Sequence, residues 1–119
     1  MSLELAASPP AMRLYVMDAR LRDAAPLVDP ARLRTVLRAA AADARVTVLG
    51  EQFHVFPNGA VTGVLLLAQS HLSIHTWPEL LLANVDLLTY GDADGEAVLR
   101  GVAAALGAEE ADVSCIARG

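Results

Sequence analysis

The chain has a single cysteine, Cys115, in 119 residues. One thiol can form neither an intrachain disulfide nor a cysteine metal cluster. That usage suits a reducing compartment, and a cytoplasmic location is expected. Aromatic residues are scarce at 4%, while hydrophobic residues reach 55%. The core must therefore be aliphatic, built from Leu, Val and Ala. Basic residues are also few. Nine Lys and Arg against fourteen Asp and Glu leave a net charge of −5, which excludes the basic face that nucleic acid requires. No apolar run approaches the roughly 18 residues of a membrane-spanning helix. The first ten residues, MSLELAASPP, lack the basic start and apolar stretch of a signal peptide. The expectation is a protein without nucleic-acid or membrane partners.

What remains is enough for one domain covering 1–119. High apolar content in so short a chain leaves little polar surface, which points to an oligomer that buries a sheet face or edge. Residues 1–11 read as a loose arm. Met12–Asp18 alternates like a first strand. Asp29 before Pro30 is an N-cap with proline in the first turn. Leu33, Val36, Leu37, Ala40, Ala41 and Ala44 then share one helical face, with Arg32, Arg34 and Arg38 turned to solvent. A second strand spans 45–56. Phe56-Pro57-Asn58-Gly59 is a hairpin turn, and a third strand runs over 60–69. Its apolar centre predicts local burial on both faces. Strands over 70–76 and 81–90 follow. Asp92 or Asp94 caps a second helix over 95–106, with Leu99, Val102, Ala103 and Leu106 inward and Gly107 as its stop. A strand over 111–117 ends the chain. The order is β-α-β-β-β-β-α-β. It predicts an α+β two-layer sandwich, a mainly antiparallel sheet with two helices on one face.

The chemistry concentrates where the third strand ends. An almost purely apolar run gives way to Gln69-Ser70-His71-Leu72-Ser73-Ile74-His75-Thr76-Trp77-Pro78-Glu79. Buried polar groups need partners, so such a switch marks a candidate site. Ser70 with His75 does not read as a hydrolase pair. Positions i and i+5 of a strand face opposite ways, and no G-x-S-x-G elbow is present. His54, His71 and His75 could be metal ligands, but they lack the H-E-x-x-H spacing. No metal is assigned. Taken residue by residue, hydrogen-bonded structural histidines remain the plain alternative.

The longer segment FPNGAVTGVLLLAQSHLSIHTWPELLLANVDLLTYGD resembles the prokaryotic S-adenosylmethionine decarboxylase proenzyme family, strongly over residues 54–92. The resemblance implies a pyruvoyl enzyme. The bond between Gln69 and Ser70 would be cleaved by the serine itself, giving 1–69 and 70–119. The Ser70 hydroxyl would attack the carbonyl of residue 69 in an N→O acyl shift. Elimination and loss of ammonia would convert Ser70 into the self-derived pyruvoyl cofactor. That group would form a Schiff base with the substrate amine and act as the electron sink when CO₂ leaves. Such chemistry needs a strained, dry strand end. The resemblance further assigns Thr62 and His75 to processing, Phe56 to stacking on adenine and Glu79 to the ribose hydroxyls. The family is typically a homodimer of cleaved protomers, with both contributing to each site.

Two positions differ from the family pattern. Gln69 stands where glutamate is usual, and Tyr90 stands where a catalytic cysteine is usual. The Tyr90 hydroxyl is then the candidate proton donor, with an ordinary pKa near 10. Three readings follow. Phe56 and Glu79 favour decarboxylation of S-adenosylmethionine, which supplies the aminopropyl donor for spermidine. Gln69 and Tyr90 favour the same chemistry on another amino acid, ornithine or arginine. The third reading is an uncleaved binding or regulatory relative.

Overall fold

Six strands form one sheet in the computed structural model, which describes residues 12–119. The arm expected over 1–11 lies outside the described residues. The strands are β1 (Met12–Arg20), β2 (Val48–Val55), β3 (Val61–Leu67), β4 (Ser70–Trp77), β5 (Leu82–Tyr90) and β6 (Glu110–Arg118). Their order across the sheet is β2-β3-β4-β5-β1-β6. All five pairings are antiparallel. Helices α1 (Pro30–Asp43) and α2 (Gly95–Leu106) pack on each other and on the sheet. The α+β two-layer sandwich is as the sequence predicts.

Local chemistry explains the helix limits. The Asp29 carboxylate accepts from the Arg32 amide, and Asp94 accepts from the Ala97 amide. Gly107 ends α2 in the left-handed conformation at φ +75°. The three α1 arginines read as solvated all find partners. Arg34 and Arg38 both pair with Glu51 on β2, and Arg32 donates to the Ala105 carbonyl of α2 at 3.3 Å. The hydrogen bond from Arg34 is the main reason the Glu51 carboxyl lies below its usual range. A short 3-10 turn over Ala25–Val28, absent from the sequence reading, buries Pro26 and Leu27 against the sandwich.

Side chains alternate across a sheet, so each strand gives one set to the helices and one to the other face. Leu65, Leu67, Leu72, Ile74, Ala83, Val85 and Leu87 are buried with Leu33, Leu37, Leu99 and Leu106. The neighbours of opposite parity are not covered. Leu66 is 55% exposed. The expectation that β3 is buried on both faces is therefore corrected, because the helices cover one face only. The second strand is also shorter than expected. Arg45 takes a left-handed turn at φ +58° before β2 begins at Val48.

Thr76 is the polar tie inside the core. It is fully buried; its hydroxyl accepts from the Val61 amide at 2.8 Å and donates to the Leu27 carbonyl at 2.7 Å. It thus joins β4 to β3 and to the 3-10 turn. Thr76→Val keeps the shape but leaves the Val61 N–H unpaired. A loss of about 1–3 kcal/mol is expected in urea unfolding, with an unchanged m-value.

Candidate active site

The β3–β4 hairpin carries the site. Leu67 pairs with Ser70, so Ala68 and Gln69 alone reverse the chain. The second residue of this tight loop is left-handed, with Gln69 at φ +68°. Glycine or asparagine adopts that conformation readily; a glutamine carries a steric cost of roughly 1–2 kcal/mol. The strain lies in the residue whose carbonyl precedes Ser70. The junction is not the dry strand end expected, since Gln69 is exposed on the turn and Ser70 half-buried.

Ser70 donates its hydroxyl hydrogen to the Leu88 carbonyl on β5. Beside it lies a cavity of about 260 Å³, whose lining includes Gln69, Ser70, Leu72, Thr89 and Tyr90. Tyr90 is 46% exposed at the end of β5, opposite Met12. Cys115 is on β6 opposite Tyr15, two strands beyond β5 and about 14 Å of sheet from β4. Burial, followed by a hydrogen bond with Cys115, raises the Tyr15 phenol above its usual pKa.

A second cluster occupies the other end of β4. Thr62 faces His75 across the β3–β4 pairing, with Oγ1 and Nδ1 hydrogen bonded at 2.6 Å. A neutral ring protonated on Nε2 accepts from the hydroxyl; with the other tautomer the ring donates. Phe56 meets the His75 ring edge-on, with centroids 5.8 Å apart, and His54 meets Phe56 at 4.7 Å. Trp77 also packs edge-on with His75, centroids 4.3 Å apart. Glu79 stands exposed in the 3-10 turn Pro78–Leu80. His71 and Ser73 lie between the clusters on β4.

The two groups of sequence-selected residues do not meet within one chain. Five residue steps along the strand take Ser70 to His75, roughly 16 Å, and the two face opposite ways. Ser70 shares parity with buried Leu72; His75 shares parity with Trp77 on the open face. Registers across the sheet extend the second cluster. His54 pairs with Thr62, Thr62 with His75, His75 with Asn84, and Asn84 with Asp18. Asn84 and Asp18 did not stand out in the sequence. The signal was a polar residue on the open-face parity of each strand, and it needs the register before it can be read. Among the described residues no group of three His, Cys, Asp or Glu side chains is arranged to hold a metal ion. No helix among them is long and apolar enough to cross a membrane.

The same hairpin and its flanking strands recur in other proteins. The profile of the family described as S-adenosylmethionine decarboxylase matches residues 13–119. A relative from Prochlorococcus marinus (strain MIT 9313), named S-adenosylmethionine decarboxylase proenzyme, is 53% identical over 70 residues, covering 59% of this chain and 56% of its own. One of the same name from Pseudomonas paraeruginosa is 41% identical over 81 residues, covering 67% of this chain and 51% of its own. The chain thus spans about half the length of the curated relatives it matches. The crystal structure of the adenosylmethionine decarboxylase from Aquifex aeolicus VF5 superposes with a TM-score of 0.82 at 31% identity, covering 94% of this chain and 93% of that one. The ornithine or arginine reading and the uncleaved reading gain no support from these relatives. A profile match over nearly the whole chain, joined to a shared fold at 31% identity, leaves one assignment: the chain belongs to the S-adenosylmethionine decarboxylase family.

Proposed function

We propose that this chain cleaves itself between Gln69 and Ser70 and then decarboxylates S-adenosylmethionine. The observation that carries the reading is the left-handed Gln69, a strained residue placed at the bond before a serine. In the proposed cleavage the Ser70 Oγ attacks the Gln69 carbonyl carbon. The C–O ester bond forms, the C–N bond breaks, and the hydroxyl proton ends on the released amine. Elimination then frees the Gln69 carboxylate, and water releases ammonia. Strain in the turn raises the starting state and is lost when the chain is cut.

The residues around Ser70 suit a pyruvoyl group formed there. The cavity of about 260 Å³ leaves room beside it, and Tyr90 lines the same space. Such a group supplies a carbonyl electron sink for loss of CO₂. Tyr90, at the position of the family's cysteine, is the candidate proton donor; it shares the open-face parity of Leu88. Phe56 offers an aromatic face to adenine, and Glu79 a carboxylate to the ribose diol. Thr62 and His75 form a hydrogen-bonded pair able to pass a proton.

A homodimer reconciles the two ends. The uncovered face carries Leu14, Val16, Val64, Leu66, Leu88 and Ile116 by register. A second copy laid on it with two-fold symmetry brings the Thr62–His75 pair of one protomer toward Ser70 of the other. Cleavage frees residue 70 from the turn that holds it on the helix side.

Four measurements test this reading. On a denaturing gel the purified protein is expected to run as two fragments, 1–69 and 70–119, and to release CO₂ from labelled S-adenosylmethionine but not from ornithine or arginine. Ser70→Ala is expected to give one full-length band; a cleaved Ser70→Ala chain would remove the nucleophile from the assignment. Gln69→Gly relieves about 1 kcal/mol of strain, so cleavage followed over time should slow by about fivefold. Finally, Ser70→Ala and His75→Ala chains are each expected to be inactive alone. Co-expressed, they should recover about a quarter of wild-type activity, because random pairing makes half the dimers mixed and each mixed dimer has one intact site of two. Without recovery, each site is built from one chain.

A further inference from the structure

On the open face beside the Thr62–His75 pair, a chain of hydrogen bonds runs through residues to which no role has been given. The Trp77 indole Nε1–H donates to Asn84 Oδ1 at 2.6 Å. The Asn84 Nδ2 amide donates to Asp18 Oδ1 at 2.8 Å. Three strands are linked in this way, β4, β5 and β1. Register sets Asn84 straight across from His75, yet its amide reaches diagonally to Trp77. The indole can only donate and the carboxylate can only accept. An asparagine between them has one amide orientation that satisfies both. The consequence falls on His75. Trp77 and His75 are two apart on one strand, where side chains of one face stand about 6.6 Å apart, but their ring centroids are 4.3 Å apart at an interplanar angle of 64°. The indole leans onto the imidazole and holds it edge-on, with Nδ1 on Thr62 Oγ1.

We infer that Asn84, held by Asp18, is a positioning residue that fixes Trp77 against His75 and so sets the imidazole on Thr62. This rests on the role proposed for His75 above, but the arrangement can be tested without it. Trp77 is the only tryptophan in the sequence, so intrinsic emission reports this site alone. The charged or titratable residues sharing the face by register are His54, His71, Asp18, Arg20, Asp86, Tyr90, Glu110, Asp112 and Arg118, with Arg20 in the row of Trp77 through Leu82. His75 is the ring in contact with the indole.

The first measurement uses full-length chain carrying Ser70→Ala, so that cleavage plays no part. Tryptophan emission is titrated from pH 5 to 8, the range in which histidine changes charge. Quenching as the imidazole protonates is expected, and His75→Gln should remove it. Adding Asn84→Ala should red-shift the emission and abolish most of the pH response. Asn84→Asp alone puts two carboxylates together and should do the same. Asn84→Asp combined with Asp18→Asn reverses the second hydrogen bond, because the carboxylate introduced at position 84 accepts from both neighbours; this pair should restore the wild-type response. An unchanged response in Asn84→Ala, or no restoration in the double variant, overturns the inference.

The second measurement uses the chain with Ser70 intact. Asn84→Ala should lower kcat about tenfold with less effect on KM, consistent with the sensitivity of reactions to misplacement of about 1 Å. The double variant should recover it. A kcat unchanged by Asn84→Ala overturns the positioning role. An inactive wild-type chain that keeps the fluorescence pattern instead overturns the decarboxylase reading and leaves the tryptophan–histidine arrangement standing.

Discussion

In the β3–β4 hairpin Leu67 pairs with Ser70, leaving two residues to turn the chain. A turn so short needs a left-handed residue, and Gln69 supplies it without being glycine. The same register puts Thr62 across from His75 and gives Ser70 and His75 opposite parity. A slip of one residue would send Leu65, Leu72 and Ile74 to the open face and Thr62, Ser73 and His75 into the core. Burial of those aliphatic side chains, at about 25 cal/mol per Å² of apolar surface, therefore locks the geometry of the polar ones. The catalytic candidates need no device of their own to hold register, since the core does it for them.

The two faces of the sheet divide the labour. Under the helices the one buried hydroxyl on β4 is Thr76, and both its hydrogen bonds are made. Above, the open face is graded. At the Trp77 end of β4 it is polar, with His54, Thr62, His75, Asn84 and Asp18 in one row. Nearer the Ser70 end, Leu66 faces His71 while Leu14 faces Leu88 and Ile116. A face with apolar residues at one end and hydrogen-bonding residues at the other gives a second copy both area to bury and a preferred orientation. In the proposed two-fold arrangement opposite ends meet, which brings His75 of one copy to the end where cleavage would release residue 70 of the other.

Much of this was legible in the sequence because it depends on short-range rules. Alternation placed the strands, and Asp29, Asp94 and Gly107 marked the helix limits through caps that act within three or four residues. The site residues stood out as a polar interruption after an aliphatic run. What was hidden depends on long-range pairing or on backbone conformation. Val64 and Leu66 look like core, because an apolar residue on an open sheet face has the same identity as one covered by a helix. Gln69 carries no mark of its left-handed turn, whereas a glycine there would have been read at once. Asn84 lies 66 residues from Asp18 in the chain, and only the β5–β1 register brings them together. The 3-10 turn before α1 was read as a plain connection because Pro26 and Pro30 look like breakers, although Pro26 and Leu27 are core.

The separation of Ser70 from Thr62 and His75 has a physical consequence for the proposed reaction. Within one chain the recorded acceptors of the Ser70 hydroxyl are carbonyls, that of Leu88 and, at 3.5 Å, that of His71, and a carbonyl is too weak a base to activate a hydroxyl. Strain at Gln69 raises the energy of the bond proposed to break but provides no route for the proton. In the proposed dimer the partner's His75 stands on the open face, while the turn holds Ser70 on the helix side until it is cut. The proposed cleavage therefore draws on the strain and groups of the chain itself, and the partner's histidine serves the group that cleavage releases.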